Sequence, residues 1–178
     1  MTPDPADQLD EVGQIVAQLR NLGLEPILVG GMALVTLGSR RVTRDFDFVI
    51  INPGARLEPL LDVFYGRGME LASRVTANGD VTATIGNRKV AATRLGLDEP
   101  VSAYFFNRAT GLRIDLLFDF PVPAATLLEG STRRKVRSHV FSIASEEDLM
   151  RLKKIAAAER QLPSDTEDIA FLEARRKL

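Results

Sequence analysis

Residues 45–51 read Asp-Phe-Asp-Phe-Val-Ile-Ile, and no other stretch constrains the fold as tightly. Side chains alternate across a strand, so Asp45 and Asp47 share one face while Phe46 and Phe48 share the other. Alternation alone describes any half-exposed strand. A second stretch adds to it: Leu112-Arg113-Ile114-Asp115-Leu116-Leu117-Phe118 is a strongly apolar strand with an acid at its middle. An unpaired carboxylate inside such a strand is costly, so Asp115 calls for a metal or another partner. Asp119 falls on the same face as Asp115, but beside Pro121 it reads as a strand-end solvent residue.

Upstream, Pro26-Ile27-Leu28-Val29 is a short apolar run stopped by Gly30-Gly31, which reads as a buried strand. Met32 to Leu37 suits a short helix closed by Gly38, and Val42 to Ile51 is the next strand. Around this centre, Leu9, Val12, Val16 and Leu19 recur at helical steps from about Ala6 to Asn21, after a loose end over residues 1–5. Leu57, Leu60, Leu61 and Phe64 mark a helix to Tyr65. Arg74 to Arg94 mixes strands and turns about Asn78-Gly79 and Gly86-Asn87, and Val101 to Phe106 reads as a strand or loop. Val136 to Ile143 forms a last strand, with Arg133, Arg134, Lys135 and Arg137 before or within it. His139 is placed on that strand's surface. Ser145, three residues before Asp148, caps a helix through Glu159, and Ser164, three before Glu167, caps another after Pro163. The expected class is α+β: a mixed sheet flanked by helices, with residues 1–144 as core and 145–178 as a helical tail of the same single domain.

Composition narrows the chemistry. A chain of 178 residues buries roughly 70% of its unfolded surface without staples. It has no cysteine and one histidine, which excludes thiolate nucleophiles, disulfides and the usual zinc centres. A net charge of −1 gives no whole-chain attraction to nucleic acid. No apolar run approaches the ~20 residues of a membrane span, and the acidic, proline-bearing start is unlike a signal peptide. A cytoplasmic protein is the expectation.

Oxygen donors remain. Mg²⁺ is typically held by one or two carboxylates plus substrate phosphates. Asp45, Asp47 and Asp115 together would suit two such ions, one for the attacking and one for the leaving oxygen. A calcium EF-hand does not fit, because Val49 occupies the next alternate position and no glycine follows where the loop needs it. Gly30-Gly31 lets backbone approach a phosphate without Cβ interference, although paired glycines after a strand are also common turns. No G-x-G-x-x-G and no P-loop lysine is present.

Strand, Gly-Gly, short helix, the Thr43-Arg44-Asp45-Phe46-Asp47 strand and a later lone Asp115 together resemble the nucleotidyltransferase superfamily of the DNA polymerase β-like fold. The tail, DLMRLKKIAAAERQLPSDTEDIAFL, is similar to the helical signature of its minimal nucleotidyltransferase and AbiEii-type toxin group. The resemblance implies that Asp45, Asp47 and Asp115 bind Mg²⁺, with Asp115 also as base. It implies that Gly30 and Gly31 contact the NTP phosphates, that Ser39, Arg40 and Arg44 neutralise them, and that Lys153 reaches over the nucleotide from the edge of the stripe formed by Leu149, Leu152, Ile155 and Ala156. Asp165 and Asp168 cap and salt-bridge the last helices. Met32 stands where that group often has a serine. The implied reaction moves an NMP group from an NTP to a hydroxyl on tRNA, protein or a small molecule such as an aminoglycoside. An antitoxin partner would follow from the toxin reading, and a catalytically silent module of the same fold is the rival. The Arg133–Arg137 cluster would steer an RNA acceptor or else form a solvated edge.

Overall fold

The computed structural model describes residues 4–178, so the expected loose end lies mostly outside the described residues. Asp4 accepts a hydrogen bond from the Ala6 amide and opens α1 (Pro5–Asn21), whose Val12, Ile15, Val16 and Leu19 are buried. Gly23, at φ +78°, turns the chain into β1 (Ile27–Val29). The chain then runs through α2 (Gly30–Thr36), β2 (Asp45–Ile50), α3 (Leu57–Tyr65), β3 (Glu70–Val75), β4 (Val81–Ile85) and α4 (Arg88–Asp98). There follow β5 (Ser102–Phe106), β6 (Arg113–Phe118), α5 (Ala124–Gly130), β7 (Thr132–Val136), β8 (His139–Ile143), α6 (Glu146–Arg160) and α7 (Pro163–Arg176).

All eight strands join one sheet in the order β4-β3-β5-β6-β2-β1-β8-β7. The sheet is mixed: β2 pairs β6 and β1 pairs β8 in parallel, and the other pairs are antiparallel. The architecture is therefore α+β, helix-flanked, with a C-terminal pair of helices. One sheet face carries Leu28, Phe46, Phe105 and Phe141. There α1 and α3 pack, with the rings of Phe64 and Phe105 stacked 4.0 Å apart. The other face carries the acids and is walled by α6, whose Leu149 and Met150 are buried. No helix among the described residues is long and apolar enough to cross a membrane.

The structure departs from the sequence expectation in several elements. The Gly86-Asn87 turn opens a full helix, α4, because the Asn87 side chain accepts from the Val90 amide as an N-cap. The last strand is a hairpin that turns at Arg137, in the left-handed region at φ +56°, so Arg133, Arg134 and Lys135 belong to β7 and His139 begins β8. His139 is half-buried against Gly13, with Nε2 3.1 Å from Asp10 Oδ1, and is not a bare surface residue. Ser145 does cap α6, accepting from the Asp148 amide, whereas α7 starts at Pro163 without a side-chain cap, so Ser164 has no such role. Asp119 accepts from the amides of Asn52 and Ala124, both at 2.9 Å; it fastens the exit of β6 to the start of α5.

Candidate functional site

Because β2 and β6 are parallel, Asp47 lies opposite Asp115 and Asp45 opposite Arg113. Register partners share a face, so all three acids stand on the side walled by α6. Their environment is electrostatically poor. Burial, then the neighbouring carboxylates of Asp47 and Asp45, pushes the Asp115 carboxyl up to about 7. Burial and then Asp45 raise Asp47 to about 6, while Lys153, Arg160 and Arg41 act in the opposite sense. Asp115 Oδ1 is buried without a hydrogen-bond partner. Asp45 is better served, since Tyr104 Oη donates to its Oδ1 at 3.1 Å, and burial followed by the Asp45 charge pushes the Tyr104 phenol up to about 12.

The two glycines serve different ends. Gly30 has φ +68°, and a Cβ on it would lie 2.3 Å from Asp47 Oδ2, so the acid rests directly on its backbone. Gly31 is buried, and the space over its Cα is taken by the Arg41 guanidinium, 2.9 Å from where a Cβ would stand. Of the pair expected at the phosphates, only Gly30 lines the cleft.

That cleft, of about 250 Å³, has Asp47 and Asp115 on its floor and Leu149, Leu152, Ile155 and Ala156 of α6 as an apolar wall, with Arg160 at the rim. The helical stripe is rotated from the one expected. Met150 and Lys153 are buried with Leu149, while Leu152, Ile155 and Ala156 are half-buried and face the cavity. Lys153 therefore stands within the wall. Its Nζ lies 2.7 Å from Asp168 Oδ2 and 3.6 Å from Asp165 Oδ1. Arg160 grips Asp165 with two bonds of 2.7 Å, and Arg41 donates to Asp168. Hydrogen bonding from Arg160, the largest lowering influence, holds the Asp165 carboxyl below its ordinary range although the residue is fully buried. The tail acids are thus salt-bridged as expected, and they cap nothing.

The remaining expected residues are elsewhere. Ser39 Oγ accepts from the Arg41 amide, and Arg40 is exposed away from the cleft lining. Arg44 lies 3.8 Å from Asp80 at the tip of the β3–β4 hairpin. That tip is also tied to Arg113, which donates to Gly79 O at 2.6 Å beside Asp45. Arg41, Tyr104, Arg113 and Arg160 were missed by sequence reasoning. Register alone would have found Arg113, two residues before Asp115, while the other three depend on long-range packing.

The orphaned Asp115 oxygen and the paired carboxylates are the hard oxygen set that Mg²⁺ takes. Among the described residues no three acidic or histidine side chains close round one point. The protein's share is an open seat, to be completed by water and phosphate oxygens.

No family model matches the chain, and no curated protein does. Solved structures with the same fold include an antigenic nucleotidyltransferase-like protein from Paracoccidioides brasiliensis, with TM-score 0.60 and 16% identity, over 97% of this chain and 78% of that one. The lincomycin-bound lincosamide antibiotic adenylyltransferase LnuA matches at TM-score 0.55 and 11% identity, over 92% and 95% of the two chains. ANT(2")-Ia, in complex with adenylyl-2"-tobramycin, matches at 0.56 and 15%, over 93% and 87%. At these identities the likeness is one of fold: this chain has the nucleotidyltransferase fold.

Proposed function

We propose that the protein is a Mg²⁺-dependent nucleotidyltransferase that moves an NMP group from an NTP to a hydroxyl acceptor, with release of pyrophosphate. The carrying observation is the register match of Asp47 and Asp115 on adjacent parallel strands, with one Asp115 oxygen left unpartnered at the floor of a cleft. Asp47 and Asp115 would hold the first ion, and Asp45 would contribute to a second. Such ions, when bound, neutralise phosphate charge and polarise the reacting oxygens.

The acceptor oxygen attacks the α-phosphorus, and the bond from that phosphorus to the bridging oxygen of pyrophosphate breaks. Asp115 would take the acceptor's proton, a role supported by burial and the neighbouring carboxylates raising its carboxyl to about 7 in the free protein. The bare Gly30 backbone lets the Asp47 carboxylate lie against it at the floor, where a phosphate would share the cation that Asp47 holds. Arg160 at the rim offers that phosphate positive charge, and the apolar α6 wall excludes water. Lys153 acts through its hold on Asp165 and Asp168, which fixes α7 against α6.

Two acceptor classes follow. A small hydroxylated acceptor is supported by the fold neighbours named for lincosamide adenylylation and bound to adenylyl-tobramycin. It is also supported by the position of the basic cluster, since β8 and β1 stand between β7 and β2 and separate that cluster from the acids. A tRNA or protein acceptor, with the toxin and antitoxin setting of the AbiEii group, is supported by the tail motif of α6 and α7.

The test incubates the protein with each radiolabelled NTP and Mg²⁺, against total tRNA, cell protein and a panel of aminoglycosides and lincosamides. Label should enter one acceptor class and vanish with chelator or in an Asp45→Ala/Asp47→Ala variant. Equal labelling by the variant, or none by either protein with any acceptor, removes the proposal. In the second case, calorimetry showing no Mg²⁺-dependent NTP binding would leave the silent module as the reading.

A further inference from the structure

The strand β7 ends the sheet, and its outer edge has no partner strand among the described residues. An edge strand presents every second N–H and C=O outward, ready to pair with another extended chain. On β7 these groups lie between cations. Thr132 to Lys135 are exposed, and Arg133, Arg134, Lys135 and the turn residue Arg137 form no ion pair among the described residues. Four unpaired cations within five residues are a local excess on a chain whose net charge is −1.

The strand's two faces differ. Arg133 pairs across β8 with Ser142, and Lys135 with Val140, which puts both on the side away from α1. Arg134 and Val136 point to the α1 side, where they edge an apolar hollow of about 290 Å³ floored by Leu28, Phe46 and Phe141. Arg134 spans that hollow and donates to Thr36 O at 2.6 Å.

We infer that β7 is a docking edge for an acidic, extended segment of a partner protein, added to the sheet as a ninth strand. Acidic side chains at alternate positions would meet Arg133 and Lys135, and an apolar side chain between them would enter the hollow beside Val136. The charges select the occupant. A second copy of this chain would set cations directly opposite cations, which is unfavourable in cross-strand pairs. An RNA strand would use the charges but neither the outward amides nor the hollow. Main-chain hydrogen bonds supply affinity in such additions, and alternate side chains supply specificity.

The test uses the full chain and a fluorescein-labelled peptide of alternating glutamate and valine, read by anisotropy, with an alternating lysine–valine peptide and a single-stranded RNA as comparators. The acidic peptide should bind at micromolar concentration and weaken at least tenfold in an Arg133→Glu/Lys135→Glu variant. Both positions are exposed, and the pull of Arg133 on Glu25 is secondary to that of Arg20, so that variant should stay folded with at most a small drop in melting temperature, and its nucleotide binding should be unchanged. Hydrogen exchange should slow at β7 amides in the complex. Tighter binding of RNA through the same residues, absence of peptide binding, or binding without β7 protection would each overturn the inference. None of these outcomes bears on the acid cleft, which β8 and β1 separate from β7.

Discussion

The two walls of the cleft hold buried carboxylates in opposite condition. On the helical wall, Asp165 and Asp168 are almost wholly buried, and each meets two cations: Arg160 and Lys153 for the first, Lys153 and Arg41 for the second. On the strand wall, Asp47 and Asp115 are half-buried and opposite in register; burial raises both carboxyls, with Asp45 adding to the rise of Asp47, and Asp47 and Asp45 to that of Asp115. Burial alone therefore does not mark a working acid. What separates the two walls is the sign of the neighbouring charge, and the proposed function would give the strand wall the added cation its raised carboxyls call for. The matched wall is scaffolding that holds α7 on α6.

The largest effect should come from breaking the matched wall. Asp165→Ala leaves Lys153 to Asp168 alone and frees the half-exposed Arg160 to solvent, so the loss should fall at the low end of a broken buried pair, about 3 kcal/mol. On the strand wall the sign reverses: Asp115→Asn removes repulsion and should stabilise the metal-free protein at pH 8 by about 1 kcal/mol. Urea unfolding of both variants without Mg²⁺ checks the pair. Equal destabilisation by the two would erase the distinction between the walls.

Titration sharpens it further. Asp47 and Asp115 rise in the folded state from an ordinary 3.8 to about 6 and about 7. The fold thus binds more protons than the unfolded chain between pH 4 and 7. The contribution of these two groups is fully present below pH 4 and lost as pH rises through 6 and 7. Asp165 is lowered, so its contribution is intact across that window and lost only in stronger acid. Metal-free stability should fall by about 2 kcal/mol from pH 5 to pH 8. Holding one extra proton across a full pH unit is worth about 1.4 kcal/mol, and repulsion between the two carboxylates makes their joint effect smaller than the sum. Mg²⁺ or Asp115→Asn should flatten the curve, and a flat curve for the metal-free wild type would contradict the upward displacement of both carboxyls.

What the sequence made legible follows the same division. The acid strands were readable because period-two alternation fixes faces, and an acid amid leucines stands out. The cations of the helical wall were not. Arg41, Arg160 and the inward turn of Lys153 depend on how α6 and α7 lie on α2, and a rotation of the α6 stripe suffices to exchange wall and edge. α4 was hidden because Asn87 reads as a turn residue until its amide partner at Val90 is seen. The glycine pair was legible as a pair but not as two roles. Gly30→Ala sets a Cβ against Asp47 in a left-handed backbone, which should cost about 1–2 kcal/mol and weaken Mg²⁺ and NTP binding together. Gly31→Ala displaces only the Arg41 guanidinium and should disturb the α7 contact first. Calorimetry on both variants tells the roles apart, and equal loss of NTP binding would restore the pair to a single function.

The smallest effect concerns Met32, which the sequence marks as a missing hydroxyl for phosphate. In the structure Met32 is half-buried and edges the apolar hollow with Leu28 and Phe46, on the sheet side away from the acids. A hydroxyl there would meet apolar carbon and no phosphate. Met32→Ser should therefore change NTP affinity by less than about twofold while costing about 1 kcal/mol in lost apolar burial. A fivefold gain in affinity would mean that α2 turns its second residue toward the nucleotide, and that the acid wall reaches further round the glycine turn than Gly30.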